Sequence, residues 1–286
     1  QSGGLVAAFD WYQATIPVSV DEALEGLMGL SEAVHLEHGR GAHGFAHSTV
    51  LHGPDGPVAR VWHGGSHTYP HAVITGENAQ PGAELIRARF PEHFVSRADV
   101  CEDFAGEGTF DRVVPVLLDA AVQHRVKVDT RGDHLLTKEG RTVYLGAASS
   151  SCRLRLYDKA AELRAKFAAD PVRLAAVPDH MARLEAQVRP QTRDARTKFA
   201  TIEPVSVMGS SAWLRQVWRG VVGLELDPVQ VGKPWRQADD DRAYAYLLAQ
   251  YGGLLTRLAA VQGWDCLGLQ IRDDLVQREK AKRGRP

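Results

Sequence analysis

Short strand-like segments of this chain carry the residue types that could cleave a phosphodiester. In CRLRLYD, at 152–158, side chains that alternate between faces place Arg153, Arg155 and Tyr157 on one side. A guanidinium is a planar fork that matches phosphate oxygens, and a phenol can act as a nucleophile. A surface strand with a half-buried tyrosine would show the same alternation, so this segment alone leaves both interpretations open.

Two further segments add carboxylates to the same kind of face. HFVSRADVCEDF, at 93–104, aligns Arg97, Asp99 and Asp103, and MARLEAQVRP, at 181–190, aligns the side chains of Arg183, Glu185, Gln187 and Arg189. Clustered carboxylates suit Mg²⁺ or Mn²⁺, and a metal with a phenol and guanidiniums could perform phosphoryl transfer. The predicted metal ligands are Asp99 and Glu185, with Asp103 and Glu162 as weaker candidates. The prediction requires the three strands to be neighbours.

The strands and helices that must position these side chains are predicted from hydrophobic periodicity and from the positions of Gly and Pro. Strands are predicted at 5–17 and, as a Pro- and Gly-punctuated meander, at 43–76; the predicted helices are 19–33, 81–90, 110–123, 159–169, 191–200, 211–220, 240–262 and 271–282. The predicted fold class is α+β, with a large, mostly antiparallel twisted sheet and flanking helices. Residues 1–200 would form the catalytic α+β domain and 201–286 a mostly helical extension packed on it, unless the two make one continuous domain.

Charge and cysteine content narrow the class of protein. The net charge is −1, but residues 1–150 carry 19 acidic and 11 basic side chains and residues 151–286 carry 16 and 23, which gives −8 and +7. This asymmetry indicates a side that faces a polyanion. The three cysteines lack C-x-x-C spacing, which predicts a cytoplasmic protein without a zinc site. The sequence contains no apolar run long enough to predict a membrane span. Because the chain begins QSGG rather than with Met, we expect a cloning scar or a truncation boundary there.

Three segments resemble the replication initiation factor family, of the Rep_trans type. GRTVYLGAASSSCRLRLYDKAAEL is similar to the family pattern GRTLYLGSRxSxxxxRxYDKxxE, SRADVCEDF to its R-x-D-x-x-x-D strand, and RLEAQVRPQTRDAR to its R-x-E-x-x-x-R strand. The resemblance runs in order from about Phe9 to Tyr251. AASSS stands where the family often has S-R-x-S, which removes one Arg from the expected DNA-facing side.

The resemblance implies an enzyme that initiates rolling-circle replication of a plasmid, phage or integrative element by nicking one DNA strand through a covalent 5′-phosphotyrosine. Tyr157 of the YDK motif would be the nucleophile, with Tyr144 as its rival. Lys159 and a divalent metal, Mg²⁺ or Mn²⁺, would favour the phenolate, while Arg155 would hold phosphate oxygens. The expected DNA-binding residues are Arg97, Arg153, Arg183, Arg189, Arg193, Arg196 and Lys198.

Histidine spacing bears on the metal. His63, His67 and His71 are spaced by four, but Gly64, Gly65 and Pro70 argue against a helix, so we expect solvent-facing strand and loop residues. The His-apolar-His triplet of the better-known nicking enzymes does not occur in the sequence, so carboxylates would be the main ligands of any metal.

The expected partners are origin DNA, single-stranded or locally melted, and a host helicase, with no membrane; a homodimer is left open. Three alternatives remain at this point. A conjugative relaxase would use the same chemistry for transfer. A non-catalytic, sequence-specific DNA-binding regulator would bind without cleaving. A metal-dependent hydrolase, with Tyr157 in a structural role, would release a free 5′ phosphate.

Overall fold

A computed structural model describes residues 7–32, 34–232 and 239–283 of the chain. The strands are β1 Ala8–Thr15, β2 His35–Arg40, β3 His47–Gly53, β4 Gly56–His63, β5 His71–Thr75, β6 Phe94–Ala105, β7 Val128–Arg131, β8 Thr142–Leu145, β9 Cys152–Asp158 and β10 Met181–Val188. The α-helices are α1 Val20–Leu27, α2 Ala79–Arg89, α3 Thr109–His124, α4 Lys159–Lys166, α5 Pro171–Ala175, α6 Arg193–Phe199, α7 Ala212–Val222, α8 Asp239–Gln262 and α9 Trp264–Arg283. Short 3₁₀ segments lie at Met28–Leu30, Gly76–Asn78 and Pro204–Ser210.

All ten described strands join one sheet in the order β2-β3-β4-β5-β1-β6-β10-β9-β8-β7, and the neighbouring strands run antiparallel. The three strands predicted to share a polar face, β6, β10 and β9, are therefore neighbours near the middle of the sheet. The predicted α+β class, with a large antiparallel sheet and flanking helices, is confirmed. Strands β2 and β7 form the two edges of the sheet.

Helices cover one face of this sheet and bury its apolar side chains. Side chains of β1, β6, β9 and β10 that point to this face pack with apolar residues of α1, α2, α3 and α7 in one core. Tyr12, Leu154 and Trp218 are among its fully buried members. Since strand side chains alternate, burial of this set leaves the intervening polar set on the other face, which we call the open face.

Capping residues fix where two of the covering helices begin. Ser19 precedes α1 and its side chain accepts a hydrogen bond from the backbone N–H of Glu22 (3.2 Å). Ser211 precedes α7 and accepts from the N–H of Leu214 (3.2 Å). Serine in this position satisfies a backbone donor that the first helical turn leaves unpaired.

The chain forms two compact units, Gln1–Pro234 and Trp235–Pro286. The second unit contains α8 and α9; the helix predicted at 271–282 begins earlier, at Trp264. A domain boundary near residue 200 stays a prediction. None of the helices in the described ranges is long and apolar enough to cross a membrane.

The histidines expected to face solvent differ in their exposure. His67 is exposed, but His63 is half-buried and His71 is buried in β5. The His71 ring nitrogens lie 2.7 Å from Gln13 Nε2 and 2.9 Å from Thr15 Oγ1, on the neighbouring strand β1. The prediction was wrong for His71. The nearby Gly64, Gly65 and Pro70 indicated an exposed loop, but β5 pairs with β1 on one side and β4 on the other, and His71 is buried between them.

Candidate active site

Cross-strand pairing gathers the predicted site residues on the open face. Three rows of directly opposed residues cross the middle strands: Tyr144–Arg155–Glu185–Cys101, Thr142–Tyr157–Arg183–Asp103 and Arg153–Gln187–Asp99–Trp11. Opposed side chains in an antiparallel sheet lie about 5 Å apart at Cβ. The phenol, the carboxylates and the guanidiniums therefore share one patch of the sheet.

A cavity of about 280 Å³ opens in this patch. It is lined by residues from five strands: Asp10, Trp11, Arg97, Asp99, Tyr144, Arg153, Leu154, Arg155, Glu185 and Gln187. We call it the carboxylate cavity, because three acidic side chains, Asp10, Asp99 and Glu185, contribute to its wall.

Asp10 is the acidic residue of this cavity that the sequence reasoning missed. In the pairing of β1 with β6, Phe9 faces Val100 and Trp11 faces Asp99, so Asp10 has no partner and forms a bulge. A bulge inserts one residue and re-aims the side chains beside it. A regular strand would place Asp10 on the same side as Tyr12, in the core. The bulge instead brings it to the carboxylate cavity.

Asp99 is buried on the floor of the cavity, with only 1% of its surface exposed. Both of its carboxylate oxygens accept hydrogen bonds from Arg97, and Gln187 Nε2 lies 3.3 Å from Oδ2. Burial raises the pKa of Asp99 above its usual range, and the Arg97 guanidinium opposes this rise. The paired Arg97 offsets part of the cost of burying a carboxylate.

Glu185 is also buried and is held by Arg155, whose Nη2 donates to Oε2 at 2.6 Å. Burial raises the pKa of Glu185 to about 7, although Arg155 lowers it. This carboxyl group therefore changes protonation near neutral pH. Perturbed groups of this kind in a cleft are candidates for function.

Asp103, the weaker of the predicted ligands on β6, lies outside the carboxylate cavity. Its two oxygens accept hydrogen bonds from Arg183 Nε and Nη2 at 2.6 and 2.7 Å. The same guanidinium reaches Asp10 Oδ1 at 2.7 Å through Nη1. Arg183 therefore bridges one carboxylate of the cavity and one beside it.

Tyr157 lies on the open face but lines a second cavity, of about 350 Å³, together with Arg155, Asp158 and Glu162. Only 8% of Tyr157 is exposed. Burial and the charge of Glu185 raise its pKa above the usual value, and Arg155 opposes this. Arg155 lines both cavities, so it joins the tyrosine to the carboxylate cavity.

Two cations lie over the Tyr157 ring. The Arg155 guanidinium is 4.6 Å from the ring centroid and the Lys159 ammonium is 5.7 Å from it. Lys159 begins α4 and pairs with Glu162 at 2.9 Å, which places Glu162 beside the tyrosine rather than among the ligands of the carboxylate cavity.

The rival tyrosine, Tyr144, lines the carboxylate cavity itself. The Arg153 guanidinium stacks over its ring at 4.1 Å from the centroid, and Arg131 is 5.5 Å from it. Tyr144 is thus the cross-strand partner of Arg155, whereas Tyr157 lies two residues along the same strand.

The predicted DNA-binding residues fall into two groups. Arg97, Arg153 and Arg183 lie in the patch, and Arg189, at the end of β10, donates to the carbonyl oxygens of Ala148 and Ser150 in the β8–β9 loop. Arg193, Arg196 and Lys198 are exposed on α6, which Thr192 caps. Among the described residues, no acceptor lies within hydrogen-bonding distance of the buried Nε of Arg153 or Arg155.

Within the described ranges, no three His, Cys, Asp or Glu side chains are arranged as a set of metal ligands. The oxygen donors of the carboxylate cavity suit a hard divalent cation in type, but each of the three carboxylates pairs with an arginine through at least one oxygen. Asp10 pairs with Arg183, Asp99 with Arg97, and Glu185 with Arg155. A metal would have to take these oxygens from the guanidiniums.

Comparison with known proteins shows a likeness of fold but none of sequence. No family model matches the chain, and no curated protein matches it in sequence. Among solved structures, the fold is similar to that of a rolling circle replication initiator protein from Geobacillus stearothermophilus, with a TM-score of 0.50 and 19% identity. The similarity covers 81% of this chain and 100% of that chain. This chain therefore shares the fold of a rolling-circle replication initiator.

Proposed function

We propose that this protein nicks single-stranded or locally melted DNA by transesterification at Tyr157 and so initiates rolling-circle replication. The observation that carries the proposal is the position of Arg155. It contacts the Tyr157 ring, pairs with Glu185, and lines both cavities of the open face. A phosphate held there would lie between a nucleophile and a carboxylate cluster, in a fold similar to that of a replication initiator.

In the proposed step, the Tyr157 oxygen attacks the scissile phosphorus and the phenol gives up its proton. The bond from phosphorus to the 3′ oxygen breaks, and that oxygen takes up a proton. The protein is then linked to the 5′ phosphate, and a free 3′ hydroxyl remains for a polymerase to extend. The bond energy is kept in the phosphotyrosine, so the strand can be rejoined without ATP.

The main energetic cost of this step is ionisation of the Tyr157 phenol, which the cations around it would lower. A phenol with an ordinary pKa near 10 is ionised in about one molecule in a thousand at neutral pH, and burial raises the pKa of Tyr157 further. Lys159 and Arg155 lie over the ring and favour the phenolate. A phosphate that adds negative charge would itself be held by the guanidiniums of Arg153 and Arg155, which line the carboxylate cavity.

A divalent cation would be held by Asp99, Glu185 and Asp10. When bound, such an ion polarises a phosphate oxygen and stabilises the charge that builds on it. Asp103 is excluded from this proposed set because it lies outside the carboxylate cavity. As Arg97, Arg155 and Arg183 turn from carboxylates to DNA phosphates, the acidic oxygens would become free for the metal.

The test is covalent adduct formation with the two tyrosine variants, Tyr157→Phe and Tyr144→Phe. The protein is incubated with labelled single-stranded oligonucleotides that tile the DNA of its own replicon, with Mn²⁺ or with a chelator, and analysed on a denaturing protein gel. We expect a metal-dependent adduct in the wild type and in Tyr144→Phe, and none in Tyr157→Phe. An adduct that survives in Tyr157→Phe and disappears in Tyr144→Phe would move the nucleophile to the carboxylate cavity.

The same chemistry would serve a conjugative relaxase, so the biological role needs a separate test. An initiator should support replication of a plasmid that carries only its double-stranded origin, whereas a relaxase should support transfer from a transfer origin. Recruitment of a host helicase and formation of a homodimer belong to this proposal and would be measured by co-purification and by light scattering.

A further inference from the structure

We propose that the outer part of the open face, formed by β4, β5 and the two loops that flank them, binds bases of the same DNA strand by stacking. This inference rests on the proposed nicking function and adds a second contact surface, which we call the aromatic surface. Its central residues are Phe45 in the β2–β3 loop and Trp62 in β4.

The aromatic surface is continuous with the carboxylate cavity. Trp11 lines that cavity, and its indole Nε1 donates to Gln13 Oε1 at 3.2 Å. Gln13 Nε2 in turn lies 2.7 Å from His71 Nε2, and the Phe45 ring stacks near His71 at 5.8 Å between centroids. A strand of DNA that leaves the cavity over Trp11 would therefore meet Phe45 on the same face.

Two loops are fixed against one another to present these rings. Phe45 stacks on His67 at 3.9 Å between centroids, and His43 packs against Trp62 at 5.6 Å. The His67 ring nitrogen Nε2 lies 3.1 Å from the His43 carbonyl oxygen. Gly65 has a φ of +72°, and a Cβ there would lie 2.4 Å from the carbonyl oxygen of Gly44, so this close approach of the loops requires glycine.

The hydrophobic core does not account for these rings. Trp11, Phe45 and Trp62 are half-buried, and none of the three belongs to the core cluster or packs against it. Two of them already carry a guanidinium, since Arg97 lies 3.9 Å from the Trp11 ring centroid and Arg60 lies 5.6 Å from that of Trp62. Half-buried aromatic rings beside cations are the side chains that stack on bases and pair with phosphates of a single strand.

Sheet geometry sets how far the DNA must extend. Trp62 lies in the row of Thr15 and His71, two strands across from β1 and four residues along from Trp11. With strands about 4.8 Å apart and a rise of about 3.3 Å per residue, the two tryptophans are separated by about 16 Å. At a stacked spacing of about 3.4 Å per nucleotide, this corresponds to about five nucleotides beyond the cavity.

The test compares wild type, the double variant Phe45→Ala/Trp62→Ala and the control Trp264→Ala, which removes an exposed tryptophan of the helical unit. Binding of labelled oligothymidylates of increasing length is measured by fluorescence anisotropy, alongside an abasic oligomer of the same length. Stacking of one base is worth about 1–3 kcal/mol, so we expect the double variant to bind long oligothymidylates at least about tenfold more weakly. Short oligomers that cannot span both sites, and the abasic oligomer, should bind all three proteins equally.

The conservative variant Phe45→Tyr/Trp62→Phe, which keeps the rings, should restore the length dependence and so separates stacking from misfolding. Equal binding of long oligothymidylate by the wild type and by the double variant would overturn the inference, as would equal losses with the abasic oligomer. The nicking proposal fails separately, through absence of the covalent adduct, and length-dependent binding that requires Phe45 and Trp62 would then still support the aromatic surface.

Discussion

Replacing Glu185 by Gln should make the protein more stable above neutral pH and, under the proposed function, should abolish nicking. The Glu185 carboxyl is buried, and burial raises its pKa in the folded protein to about 7 from an ordinary value of 4.5. The folded protein therefore binds the proton more tightly than the unfolded chain. The contribution of this group to stability is complete below pH 4.5 and is lost as the pH rises through 7.

The size of the effect follows from the difference between the two pKa values. Ionising Glu185 costs the folded protein about 3 kcal/mol at pH 8 and about 1 kcal/mol at pH 5, at 1.36 kcal/mol for each pKa unit. Glutamine resembles the protonated carboxyl and avoids this cost. Arg155 loses its partner, but its side chain is 39% exposed and can be solvated.

Urea denaturation of wild type and Glu185→Gln at pH 5 and pH 8 measures this difference. The variant should be more stable by about 3 kcal/mol at pH 8 but by only about 1 kcal/mol at pH 5. Glu107→Gln, at an exposed position, is the matched control and should show no such dependence. A Glu185→Gln protein that is less stable than the wild type at pH 8, or whose advantage does not change with pH, would refute the reasoning.

Two further predictions concern the sheet and its helices. Burial lowers the pKa of His71 from 6.5 to about 4, so its contribution to stability is present above pH 6.5 and is lost as the pH falls towards 4. The variant His71→Gln should therefore reduce the acid-dependent loss of unfolding free energy, measured in urea, by about 3 kcal/mol. The exposed His124→Gln is the control, and an unchanged acid dependence in His71→Gln would contradict this prediction. Gly82→Ala would place a methyl group 2.4 Å from Ile74 Cδ1 and should cost about 1–3 kcal/mol. Thermal melts of Gly82→Ala, Ile74→Val and the double variant should show less than additive losses, and strict additivity would argue against this clash.

The residues of the candidate site were predictable where the strands are regular. Alternation with a period of two is a local property, so it placed Asp99, Glu185 and Tyr157 on the polar faces of their own strands. The order β6-β10-β9 was not predictable from these segments, because pairing depends on contacts between residues far apart in sequence. The predicted roles of these residues came from the resemblance to a family, because periodicity carries no information about roles.

Irregular features account for what the sequence reasoning missed. Regular alternation counted back from the buried Tyr12 would turn Asp10 to the core, and only its unpaired position opposite β6 reverses this. The separate cavity of Tyr157 is lined in part by the start of α4, through Ala161 and Glu162. Phe45 and Trp62 come together only because the loops beside them are in contact. Gly65 permits this contact, but a glycine in the sequence does not predict it.

The two borders of the sheet affect how copies of this protein can meet. An open sheet ends in strands with unpaired backbone groups, and a long apolar border invites another chain to add to it. Here the borders are β2, with the sequence HLEHGR, and β7, with the sequence VDTR. Both are short, solvated and charged. Strand-by-strand growth into fibres is therefore disfavoured, and the sheet can stay open at both borders without causing the protein to aggregate through them.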